Sequence, residues 1–68
     1  MREQWRKFLV DNENNWSYGI VPNLVRRLAE AVEVGDDEKV KDLLYGLYLQ
    51  GVMLDDNDNL CFVADCIY

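Results

Sequence analysis

The chain contains no histidine and no threonine, and Ser17 is its single serine. A serine–histidine or cysteine–histidine nucleophilic pair therefore cannot be assembled within it, because the base that activates the nucleophile is missing. Two cysteines without histidine also fall short of a zinc site, which normally takes four such ligands, or three with an open position. Neither a P-loop nor a Gly-x-Gly-x-x-Gly run is present, so nothing signals a phosphate cradle. Carboxylate pairs remain, but acid–base work on a substrate needs a cleft that a chain this short hardly supplies. No apolar run approaches the roughly 20 residues that cross a bilayer. The start, Met1 to Lys7, is charged and is not followed by the apolar stretch of a signal peptide. These absences predict a soluble, cytoplasmic protein that is not an enzyme, holds no metal or cofactor, and does not meet a membrane.

What is present suits one small domain spanning residues 1–68. Half of the residues are apolar, enough for a modest core and unlike a disordered chain. The net charge of −6 is unevenly spread. Residues 1–27 carry five cations against three carboxylates, and residues 28–68 carry two against ten. A field of that sign repels phosphate backbones and anionic surfaces and favours a basic protein partner. Cys61 and Cys66 lie five apart, and on an extended strand they would be about 16 Å apart, facing opposite sides. A disulfide needs Cα atoms within about 7 Å, so free thiols are expected, with a bond to another chain as the alternative.

Trp5, Phe8 and Leu9, spaced i, i+3, i+4, predict a short helix over residues 2–10, ended by the Asn/Asp-rich run 11–15. The aromatic connector 16–21 follows with no clear periodicity. Pro22 fits the first turn of a second helix. On it Leu24, Val25, Leu28, Ala31 and Val32 face one side, and Arg26, Glu30 and Glu33 the other. Gly35 stops that helix, and Asp36 or Asp37 caps a third. The third helix carries a core stripe of Val40, Leu43, Leu44 and Leu47, with Tyr48 at its edge. Tyr45 and Leu49 lie roughly opposite, so this helix is either central or meets a partner. After Gly51, Val52–Leu54 and Leu60–Val63 flank five turn residues and predict a hairpin, its second strand running on toward Ile67. The expected class is α+β: three short helices followed by a C-terminal β-hairpin, the element order of a helix-turn-helix with a wing.

The turn Asp55-Asp56-Asn57-Asp58-Asn59 resembles the start of a calcium loop, but Leu60 stands where glycine is required and Cys66 where a bidentate glutamate belongs. It is read as an acidic hairpin turn. In a winged-helix reading, residues 36–50 would enter DNA and 55–59 would form the wing tip. Asp36, Asp37, Glu38, Asp42, Asp55, Asp56 and Asp58 occupy the places where Arg and Lys belong, which opposes direct nucleic-acid binding. Candidate partner-binding residues are Trp16 and Tyr18 as an aromatic anchor, Tyr45 and Leu49 as an apolar patch, and an acidic group. That group comprises Glu30, Glu33, Asp36, Asp37, Glu38, Asp42, Asp55, Asp56 and Asp58. The expected function is a small protein-binding regulator or inhibitor that occupies a partner's surface. Phage-type inhibitors of host nucleic-acid-handling proteins have this character. A homodimeric structural module and a winged-helix nucleic-acid binder are the alternatives.

Overall fold

A computed structural model describes residues 1–16 and 19–66. Helix α1 spans Glu3–Asp11, a short 3-10 turn spans Glu13–Asn15, and α2 spans Ile20–Val34. Helix α3 spans Asp37–Leu49, strands β1 and β2 span Val52–Leu54 and Leu60–Phe62, and the short α4 spans Val63–Cys66. Helices followed by a C-terminal two-stranded antiparallel hairpin make an α+β fold. Its radius of gyration is 11.2 Å, close to the roughly 11 Å expected of a compact chain this long.

Local chemistry sets the helix boundaries. Gly35 adopts the left-handed conformation at φ 73° and closes α2, while Asp36 N–H donates to the Ala31 carbonyl at 3.0 Å. This backward bond satisfies a carbonyl the helix would otherwise leave open. The Asp36 carboxylate then accepts from the Lys39 N–H at 3.2 Å and caps α3, satisfying one of its orphan donors. The chain thus reverses within two residues, and α2 and α3 become the most extensively packed pair.

The core is built from Trp5, Val21, Val25, Leu28, Ala31, Leu43, Leu47, Val52 and Leu60, with contributions from every long element. The hairpin register pairs Val52 with Phe62, Met53 with Cys61 and Leu54 with Leu60. Side chains alternate across a strand, so Val52, Leu54, Leu60 and Phe62 share the core-facing side. Trp5 fastens the two ends of the chain: its indole Nε1 donates to the Asp58 carbonyl in the hairpin loop at 2.7 Å.

Two expectations need correction. The second strand does not continue toward Ile67 but ends at Phe62, where α4 begins; Ile67 lies outside the described residues. The free-thiol expectation also fails for Cys61, which is disulfide-bonded. Both expectations took the backbone after Phe62 as extended. A separation of about 16 Å assumed extended backbone at about 3.3 Å per residue, whereas a helical turn advances only about 1.5 Å per residue. A smaller correction concerns α2, where Val32, expected on the buried side, is 43% exposed.

Candidate functional site

Helix α3 presents two unlike faces. Leu43 and Leu47 are buried, with Val40 and Leu44 packed beside them. At about 100° per residue, Glu38, Asp42, Tyr45 and Leu49 project from the opposite side within an arc of roughly 60°. Tyr48 and Lys41 border that arc. Tyr45 is 65% exposed, Leu49 63% and Tyr48 50%. The helix is therefore not the centre of a bundle; one apolar face is covered and the other meets solvent. Solvated neighbours surround this second patch: Glu38 and Asp42, about three and two turns before Leu49, and Asp36 and Asp37 at the helix start, are all exposed.

The other candidates fall into separate places. Glu30 and Glu33 are exposed on α2, near the turn that leads into α3. In the hairpin loop, Asp55 is occupied internally, its carboxylate accepting from the N–H groups of Asn57 at 2.8 Å and Asn59 at 2.9 Å. Such a bond pattern builds a turn from the side chain itself. Asp58 takes the left-handed conformation at φ 61°. Its carboxylate lies 3.7 Å from the Arg2 guanidinium, which also sits over the Trp5 ring at 5.1 Å from its centre. Only Asp56 of the three loop aspartates has no hydrogen bond or ion pair among the described residues. The loop is thus first a structural device, and no group of three metal-ligating side chains occurs among the described residues.

Trp16 is half-buried rather than standing free. Its Nε1 donates to the Leu9 carbonyl at 3.1 Å, and its ring lies 5.9 Å from both Phe8 and Phe62. Phe8 and Phe62 are themselves 5.1 Å apart, at the separations where tilted aromatic pairs attract. Trp16 therefore lids the end of the core between α1 and β2. Tyr18 lies outside the described residues.

Sequence reasoning missed Tyr48 as part of the exposed patch, placing it at the edge of the core stripe. It also missed Arg2, whose proximity to Trp5 and Asp58 joins residues far apart in the chain and leaves no local signal. Comparison with protein-family models, with curated proteins and with solved structures finds no match, so geometry and chemistry carry the functional reading.

Proposed function

We propose that this chain is a small acidic regulator or inhibitor that acts by occupying the surface of a partner protein. The reading needs no reaction chemistry, metal or cofactor of its own. One observation carries it. Tyr45, Tyr48 and Leu49 stand in solvent on α3 while Leu43 and Leu47 behind them already complete the core. Folding leaves half or more of each of these three large side chains in solvent, so covering the remainder at an interface supplies part of the roughly 1.5–3 kcal/mol that full burial of a large apolar side chain is worth. Tyrosine is also enriched among the residues that dominate interfaces.

Charge supports a basic partner. Glu38 and Asp42 share the face with the apolar patch, and Glu30, Glu33, Asp36 and Asp37 extend the negative field behind it. Such a field steers a cationic surface toward the patch and repels nucleic acid. A protein with a basic nucleic-acid-binding groove fits this chemistry, as a phage-type inhibitor of a host factor would require. A cytoplasmic site of action, also proposed, requires the fold to tolerate opening of the Cys61 disulfide, because cytosolic thiol buffers reduce such bonds.

The test is affinity capture from cell lysate with wild type and a Tyr45→Ala/Leu49→Ala variant in parallel. Each is washed across a salt series spanning the range where screening lengths fall from about 10 Å to 3 Å. A protein retained by wild type, lost from the variant and released as salt rises supports the reading. Identical retention by both chains removes it.

The same uncovered face favours a homodimeric module as a second reading. The net charge of −6 on each copy opposes it. Sedimentation across a concentration series separates the two, since a monomer throughout eliminates the dimer.

A further inference from the structure

Five of the seven cations lie in residues 1–27, and two of them flank an open groove on the side of the molecule built by α1 and the start of α2. The groove has a volume of about 450 Å³ and is lined by Arg6, Leu9 and Val10 of α1, Glu13 and Trp16 beyond it, and Pro22 and Arg26 of α2. That volume is within the range of small-molecule sites, which are mostly apolar with a few convergent polar groups.

Neither the Arg6 nor the Arg26 guanidinium has an ion pair or hydrogen bond among the described residues. In a chain of net charge −6 with thirteen carboxylates, the described residues lining this groove include two arginines against the single carboxylate of Glu13, which leaves it a surplus positive charge. Guanidinium forks match carboxylates in geometry as well as charge. The apolar walls of Leu9, Val10, Trp16 and Pro22 require the remainder of the ligand to be hydrocarbon. Glu13 and the acidic remainder of the molecule work against a polyanion.

We propose that this groove binds an alkyl monocarboxylate of medium chain length, its tail along Leu9, Val10, Trp16 and Pro22 and its carboxylate held by Arg6 and Arg26. This site is separate from the α3 face and does not depend on that face binding a protein.

The experiment titrates the full-length chain with octanoate and, separately, with octan-1-ol, which has the same tail without the charge. Backbone amide and tryptophan indole NMR signals are followed. Saturable shifts at Leu9, Val10 and Trp16 with octanoate, and affinity at least tenfold weaker for octanol, are the expected result. An Arg6→Gln/Arg26→Gln variant should abolish that preference, while Arg27→Gln, an exposed arginine outside the groove, should retain it. Circular dichroism confirms that each variant is folded, and the octanoate-to-octanol ratio on wild type decides the matter without any variant. No saturable shift, equal affinity for the alcohol, or a response only to phosphatidylglycerol vesicles would each overturn the proposal.

Discussion

At the scale of single residues, Gly46 shows how a sequence cost can be tolerated by a fold. It lies inside α3, where glycine is about 1 kcal/mol less favourable than alanine. A Cβ added there would meet only the Leu24 methyl groups, at 3.8 Å, an ordinary contact distance. Gly46→Ala should therefore stabilise the protein by about 0.5–1 kcal/mol, measured by urea denaturation; a lower midpoint would show that Leu24 cannot accommodate the methyl. Leu28 marks the other extreme. It is fully buried, and truncating such a leucine costs about 2–5 kcal/mol, about half of the stability expected of a 68-residue domain at roughly 0.05–0.15 kcal/mol per residue. Leu28→Ala is expected to lower the urea midpoint by far more than any surface substitution; an unchanged midpoint would show that the site collapses around the missing side chain. Trp5 is subtler: Trp5→Phe keeps most of the buried ring but deletes the donor to the Asp58 carbonyl. A destabilisation of about 1–3 kcal/mol follows from volume and hydrogen-bond loss together, and the largest shifts should fall in residues 55–59.

At the scale of elements, helix periodicity was legible and strand length was not. The apolar spacing on α2 and α3 located both helices, and Gly35 and Asp36 located the turn between them, because capping is a local backbone requirement. The hairpin and its loop were legible for the same reason. The end of β2 was not, since the run after Phe62 is apolar enough to read as a strand, whereas Val63–Cys66 forms the short α4. Capping also yields a prediction at this scale. Asp36→Ala removes the acceptor for the Lys39 N–H and should cost about 1 kcal/mol. Hydrogen exchange should quicken in the first turn of α3 more than in its last. Uniform acceleration along the helix would mean that the cap acts through global stability alone.

At the scale of the whole molecule, the Cys61 disulfide and the charge asymmetry set its behaviour. Cys61 is not among the core residues, and the core draws on α1, α2, α3 and both strands. Reduction should lower stability without unfolding the protein. Thermal unfolding with and without reductant measures this; complete unfolding on reduction would show that the bond is essential to the fold.

By itself, the sequence determined the absence of a histidine-based nucleophilic centre, the positions of the long helices and hairpin, and the separation of a basic first part from an acidic remainder. Composition, periodicity and capping are local properties, readable without knowing what packs where. Only the tertiary structure decided which of the two apolar sides of α3 is covered. Both carry leucine, and the choice depends on α2 and the hairpin closing over Leu43 and Leu47. Trp16 was decided the same way, drawn between Phe8 and Phe62, as were the loop aspartates, of which Asp55 and Asp58 hold the hairpin and Arg2. The grouping of Arg6 with Arg26 was beyond sequence reading too, because it arises where α1 meets α2, twenty residues apart in the chain.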